Sequence, residues 1–260
     1  MQGKVKKCLL FLFVPAFLLG LGTAGSHFFN PVNKDGNPPI VIYCAAGVRA
    51  PVEMLAREYE ELYGIKIELV YGSSGNLRTQ IESRGAGDIY IPGDPRFLVG
   101  IDHVNSREIA SHFPVLVINA SRADNIKTPS DVADSNLDFV LVNPDSTALG
   151  ERSAEIISAL GLDHELEHRL YGRVATANQV PLYLSFGRGE AGICWFSNYL
   201  LHEEDLVIID LPDHLHKQVP IIGVVLSSSN HPEKAGDFLH FLRSGRAKDV
   251  FLNTGYELKD

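Results

Sequence analysis

The sequence is poor in cysteine and in basic residues. It has 3 Cys among 260 residues, and its 23 Lys and Arg are outnumbered by 32 Asp and Glu, which gives a formal net charge of −9. Nucleic acid attracts basic surfaces, so we expect no nucleic-acid partner. Besides Cys8, the cysteines are Cys44 and Cys194, each in an apolar strand pattern. We expect two buried free thiols there, with a disulfide as the alternative in an oxidising compartment.

The N-terminus carries a basic and then an apolar segment. Three lysines precede the apolar run from Cys8 to Leu21, and the small residues Gly22-Thr23-Ala24 follow it. This pattern predicts a signal peptide over residues 1–24 and export to the periplasm or another extracytoplasmic compartment. The run is short for a membrane span, and an uncleaved N-terminal anchor is the alternative. Residues 25–39, with three prolines, are predicted to be a linker.

Beyond the linker, apolar strand patterns alternate with helical ones. Val41–Cys44, Ile65–Val70 and Asp88–Ile91 are predicted strands with helical spacing between them. Successive strand, helix and strand units predict parallel sheets with helices on both faces, so the fold class is α/β.

Four predicted strands end in small or polar loops that open a helix. The carboxyl ends of parallel strands are where ligands bind, and a helix N-terminus favours an anion. We therefore expect a small anion between these loops, with Ser73 and Ser74 as hydroxyl donors; ordinary N-capping is the alternative role for both serines. The loops lie at Gly47, Ser73-Ser74, Ser146-Thr147 and Asn178.

Five short runs resemble, in order and spacing, the periplasmic molybdate/tungstate-binding proteins that serve ABC importers. The resemblance extends over nearly all of residues 40–256. The runs are Tyr43–Gly47, Tyr71–Leu77, Gly87–Ile91, Asn143–Asp145 and Glu190–Ile193.

The resemblance implies a type II periplasmic binding protein fold, in which two doubly wound α/β domains are joined by a hinge of two crossover strands. It places the crossovers near Val115–Asn119 and Val219–Leu226. Domain I is then formed by residues 40–115 and 220–260, and domain II by residues 116–219.

The resemblance also implies a function and a set of contacts. A tetrahedral oxyanion would be held by backbone N–H groups and neutral hydroxyls, and presented to the permease of an ABC transporter. We expect a monomer that has no cofactor and performs no catalysis. The contacts implied by position are Val48, Ser74, Leu149, Gln179 or Val180, and Trp195. The neighbouring residues Gly47, Arg49 and Ser73 complete the expected set.

Two positions depart from the family pattern. Val48 replaces a serine, and Trp195 replaces a tyrosine whose hydroxyl bonds the anion. Arg49, beside Val48, is suited to grip phosphate, sulfate or a carboxylate in a charge-assisted way, or else to point into solvent. The expected ligand is molybdate or tungstate, and phosphate, sulfate or an organic acid is the alternative.

A second class of function comes from the run His164-Glu165-Leu166-Glu167-His168, which matches the zinc-protease pattern His-Glu-x-x-His. His164 and His168 are the candidate zinc ligands and Glu165 the candidate base of a zinc hydrolase. The run follows Gly161 and contains one apolar residue, which is typical of a short solvated helix. We therefore favour the binding protein over the hydrolase.

Overall fold

The computed structural model describes residues 38–259, which form two five-stranded mixed sheets with helices packed against them. The predicted signal peptide, residues 1–24, and almost all of the predicted linker lie outside the described residues. Among the residues that are described, no helix is long and apolar enough to cross a membrane.

The first sheet takes its strands from both ends of the described chain. Its strand order is β2-β1-β3-β10-β4, and we call this sheet with its helices the first lobe. The elements are β1 (Ile40–Ala45), α1 (Arg49–Tyr63), β2 (Ile67–Gly72), α2 (Ser74–Arg84), β3 (Ile89–Ile91), β4 (His103–His112), β10 (Val219–Leu226), α8 (Pro232–Phe241) and α9 (Gly245–Asn253).

The second sheet comes from the middle of the chain, in the order β7-β6-β8-β5-β9, and forms the second lobe. Its elements are β5 (Pro114–Asn119), α3 (Pro129–Asp134), β6 (Phe139–Val142), α4 (Ala148–Ala159), α5 (Leu166–Arg169), β7 (Leu170–Val174), α6 (Gln179–Ser185), β8 (Ala191–Trp195), α7 (Phe196–Tyr199) and β9 (Leu206–Ile209).

Both sheets combine parallel and antiparallel pairs. In the first lobe, β1 runs parallel to β2 and β3, whereas β10 is antiparallel to β3 and β4. In the second lobe, β6 is parallel to β7 and β8, whereas β5 is antiparallel to β8 and β9. The central strands are apolar and buried, as expected of strands covered by helices on both faces.

Helix α1 shows how the local sequence shapes an element. Val52, Leu55 and Tyr59 recur at helical spacing and are buried against the first sheet. Leu62, in the last turn, continues that spacing but is 61% exposed. The helix ends at Gly64, whose φ of +68° is the left-handed conformation that glycine adopts most easily.

The chain passes between the sheets twice. Residue Phe113 separates β4 of the first sheet from β5 of the second, and residues 210–218 separate β9 from β10. The segments predicted as crossovers, Val115–Asn119 and Val219–Leu226, therefore pair within single sheets, and the passages lie just before them.

The two described cysteines are free and buried, which confirms the prediction. Burial raises the pKa of both thiols, because the thiolate loses its hydration. Neither Cys44 nor Cys194 is therefore a reactive thiol in the folded protein.

Candidate ligand-binding cavity

A small cavity lies where the carboxyl ends of strands from both sheets face each other. The part of the cavity that the centre of a water molecule can occupy is about 20 Å³. Roughly 10–15 Å³ of such space is enough to hold one water molecule. The first lobe contributes Ala45, Ala46, Gly47, Gly72, Ser73, Ser74 and Gly93, and the second contributes Thr147, Ala148, Thr176, Ala177 and Trp195.

None of these twelve lining residues is charged. The polar side chains at the cavity are serine and threonine hydroxyls and one indole N–H. An anion in this cavity would be held by N–H and O–H dipoles rather than by an ion pair.

The start of α2 supplies one wall. Of its first four N–H groups, that of Gly75 donates to the Ser146 carbonyl, and those of Asn76 and Leu77 donate to the side chain and carbonyl of Ser73. Ser74, which lines the cavity, supplies the remaining N–H. Its Oγ accepts the Gly93 N–H at 3.1 Å, so the Ser74 hydroxyl hydrogen is left to donate elsewhere.

The start of α4 supplies the facing wall. Thr147 is the N-cap residue, but its Oγ1 donates to the Asn143 carbonyl at 2.7 Å and does not cap the helix. The N–H groups at the start of α4, where Ala148 lines the cavity, therefore receive no side-chain acceptor from Thr147. Arg96 of the first lobe donates to the Thr147 carbonyl at 2.8 Å and pairs with Glu151, which ties this loop to the first lobe.

Trp195 closes the cavity from the end of β8. The side chain is 1% exposed, and its ring lies against Gly47: a Cβ on Gly47 would be 3.0 Å from the indole Cδ1 and 3.2 Å from Nε1. A larger residue at position 47 would therefore displace the indole. The carbonyl of Gly47 accepts a hydrogen bond from the buried Tyr256 hydroxyl at 2.6 Å, which orients the loop.

The Trp195 indole also stacks on His112, with ring centroids 3.6 Å apart and planes 16° from parallel. His112 is fully buried, and its Nε2 lies 2.8 Å from the Gly93 carbonyl. Burial lowers the pKa of His112 to about 3, an effect that the hydrogen bond to Gly93 only partly offsets. The imidazole is therefore neutral at physiological pH.

The structure brings four of the predicted site residues to the cavity: Gly47, Ser73, Ser74 and Trp195. The side chains of three others, Val48, Leu149 and Val180, are fully buried in the hydrophobic cores, and these residues do not line the cavity.

The remaining two predicted residues, Gln179 and Arg49, do not line the cavity and instead contact neighbouring residues. Gln179 accepts the N–H groups of Ala175 and Thr176 at 3.0 and 3.1 Å and so shapes the loop that lines the cavity. Arg49 has a side chain that is 55% exposed, bonds Glu53 at 3.0 Å and lies over the Tyr71 ring, outside the cavity.

Several lining residues were not among the sequence-predicted contacts. Thr147 and Ala148 follow β6, Thr176 and Ala177 follow β7, and Gly93 follows β3. Thr147 lies in the Ser146-Thr147 loop that was expected to face the anion, although it was not among the contacts named, whereas nothing local marks Gly93, which is placed by β3.

The structure does not assemble the candidate zinc site. His164 lies in a turn, His168 lies in the one-turn helix α5, and both side chains are exposed. The pair is therefore not carried on one continuous helix, as the zinc-protease pattern needs. Within residues 38–259, no group of three or more His, Cys, Asp or Glu residues is placed to hold a metal ion.

The comparisons with known proteins agree with this architecture. The family model described as bacterial extracellular solute-binding protein matches residues 40–257, and the chain belongs to this family. One relative is a Bacillus subtilis protein provisionally named ABC transporter substrate-binding lipoprotein YvgL. It is 24% identical over 249 residues, which are 93% of this chain and 94% of that protein.

Two solved structures share the fold. The periplasmic molybdate-binding protein of Azotobacter vinelandii superposes with a TM-score of 0.74 and 16% identity, covering 85% of this chain and 100% of that one. The sulfate-binding protein SubI of Mycobacterium tuberculosis superposes with a TM-score of 0.73 and 12% identity, covering 85% and 86%. These likenesses confirm the predicted two-domain fold of type II periplasmic binding proteins.

Proposed function

We propose that the protein captures a small inorganic oxyanion, molybdate or tungstate in the first place, in the cavity between its two lobes. The observation that carries this proposal is the lining of the cavity. Two helix starts and neutral hydroxyls face a space that is too small for a bulky organic ligand and contains no charged side chain. Such a lining suits an anion held by dipoles.

The same lining favours oxyanions that carry no proton. Molybdate, tungstate and sulfate are fully ionised at neutral pH, whereas every phosphate ion then carries at least one hydroxyl, whose hydrogen needs an acceptor. No carboxylate lines the cavity to accept it. We therefore expect phosphate to bind more weakly than molybdate or tungstate, although all are tetrahedral.

We infer that binding closes one lobe on the other. Residues 40–115 and 220–260 are our assignment for domain I, and residues 116–219 for domain II. The assignment is supported by the strands of the first sheet, which are β1 to β4 and β10, and by those of the second, which are β5 to β9. A ligand that contacts both walls stabilises the closed form by its differential contacts.

The partner follows from the family and its relatives. We propose that the loaded protein delivers its anion to the permease of an ABC transporter, and that it acts as an exported monomer outside the cytoplasm. Membership of a family of extracellular solute-binding proteins supports export, and the name of the Bacillus subtilis relative supports the transporter.

Calorimetric titration with molybdate, tungstate, sulfate, phosphate and citrate tests the proposal. We expect the tightest binding for molybdate or tungstate, and a rise in the melting temperature at saturating ligand. Citrate stands for the organic acids. Tight binding of citrate with no response to any inorganic oxyanion would reassign the ligand, and no response to any of the five would refute an anion-binding function.

A pair of serine variants assigns the binding to the cavity. Ser74→Ala removes the hydroxyl at the start of α2, and we expect the affinity to fall roughly tenfold or more, because hydrogen bonds to charged groups contribute about 1.5–3 kcal/mol. Ser83→Ala, near the end of the same helix, removes an exposed hydroxyl that bonds the Gln80 carbonyl. This control should bind like the wild type, and equal losses in both variants would place the ligand elsewhere.

A further inference from the structure

His112 lies at the first passage between the lobes. It is the last residue of β4, and Phe113 alone separates it from the first strand of the second sheet. The sequence offers no reason to single it out. In the structure it is the one histidine among the described residues that is fully buried.

The imidazole ring of His112 contacts residues from both walls of the cavity. Because a carbonyl oxygen only accepts, the His112 Nε2 carries the proton and donates to the carbonyl of Gly93, at 2.8 Å. The Gly93 N–H in turn donates to the hydroxyl of Ser74. The face of the same imidazole lies on the indole of Trp195, which belongs to the second lobe.

Packing alone does not account for a histidine at this position. With Nε2 protonated, Nδ1 is an acceptor, and within the described structure this buried atom has no hydrogen-bond partner. An unpaired buried acceptor costs free energy that an aromatic hydrocarbon ring of similar size would not. The gain specific to histidine is the bond from Nε2 to Gly93, combined with a flat ring that stacks on Trp195.

We propose that His112 is a positioning residue for the ligand: its ring fixes the Gly93 and Ser74 wall of the first lobe relative to the Trp195 wall of the second. This inference rests on the proposed oxyanion-binding function. The side chain does not line the cavity and is neutral, so it contributes geometry rather than charge.

Three variants separate the two contacts of the ring. His112→Gln keeps an N–H donor toward Gly93 and removes the stack, His112→Phe keeps the stack and removes the donor, and His112→Leu removes both. His103→Gln is the matched control, since the His103 ring is on the same strand, lies 2.9 Å from the Ile101 carbonyl and is largely exposed. Trp195 is the single Trp of the chain, so its emission reports the indole directly.

We expect His112→Leu to weaken molybdate binding at least tenfold and to shift the Trp195 emission maximum, and His103→Gln to do neither. His112→Phe should retain the wild-type emission while losing affinity, which a merely structural role would not produce. A folded His112→Leu protein with wild-type affinity and emission would overturn the proposal.

Two further observations keep the inference testable. If the variants do not fold, ¹⁵N spectra of the wild type replace them: the His112 Nε2–H signal should shift on saturation with molybdate, and an unchanged signal would refute the positioning role. If the wild type binds no oxyanion at all, the proposed function fails. In that case the emission spectra still test whether His112 positions Trp195. The emission maximum of His112→Gln, which lacks the stack, should differ from that of His112→Phe, which keeps it.

Discussion

The N–H of Gly75 donates to the carbonyl of Ser146 at 2.9 Å, and this bond joins the two lobes next to the cavity-lining residues Ser74 and Thr147. Gly75 is the second residue of α2, and Ser146 lies in the loop that leads to α4. The approach is close, since a Cβ on Gly75 would be 3.0 Å from the Ser146 Cα and 3.1 Å from its carbonyl oxygen. The absence of a side chain at position 75 is therefore what allows the walls to meet.

Gly75→Ala should weaken ligand binding without destabilising the ligand-free protein. The added methyl group crowds Ser146 only when the lobes are closed, and overpacking of this kind costs about 1–3 kcal/mol. Within a helix, however, alanine is favoured over glycine by about 1 kcal/mol. Calorimetric titration and thermal unfolding of the two proteins check both parts of the prediction.

Gly172→Ala is the control for this substitution. Gly172 lies in β7, where an added Cβ would have no atom within 4 Å. The Gly172→Ala protein should therefore bind ligand with the affinity of the wild type. If Gly75→Ala binds as tightly as Gly172→Ala, the contact between Gly75 and Ser146 does not form in the bound state.

Arg96 and Arg49 should respond differently to substitution. Arg96 spans the lobes to Thr147 and Glu151, so Arg96→Met should lower the population of the closed form and reduce the apparent affinity roughly fivefold or more. Arg49 is paired with Glu53 on its own helix and is half exposed, so Arg49→Ala should change the binding free energy by less than about 0.5 kcal/mol. Parallel titrations with molybdate compare the two variants, and a larger loss for Arg49→Ala would show that Arg49 grips the anion.

The order of strands and helices was largely readable from the sequence, because apolar runs and helical spacing are local properties. Strand β4 was not, since its first half is polar and exposed and its existence depends on pairing with β10, more than 100 residues later in the chain. Strand propensity depends strongly on such context. The helices α8 and α9 are separated by a short break, with Ser244 as the N-cap of the second.

The candidate site was readable only in part. Strand ends with small residues pointed to Gly47, Ser73 and Ser74, because the start of a helix is marked locally. A sequence does not show whether a residue contributes its backbone or its side chain, and Val48 and Leu149 direct their side chains into the cores. The sequence did contain a signal that Arg49 pairs within its own helix. Glu53 lies four residues later, which is the spacing of a helical ion pair.

His112 should make the protein less stable as the solution becomes moderately acidic. Its pKa is about 3 in the folded protein, where burial disfavours the charged form, against about 6.5 in the unfolded chain. Above pH ~6.5 both states are neutral and the group has no effect. As the pH falls from there toward the folded pKa, the unfolded chain takes up a proton that the folded protein does not, and the free energy of unfolding decreases.

Between pH 7 and pH 5 this linkage amounts to roughly 2 kcal/mol. His112→Phe lacks the titrating group, so its free energy of unfolding should decline less over this interval than that of the wild type, whereas the remaining histidines contribute equally to both proteins. Urea unfolding of each protein at the two pH values measures the difference. A decline of the same size in both proteins would mean that His112 is protonated in the folded state without cost, which contradicts a neutral imidazole held between Gly93 and Trp195.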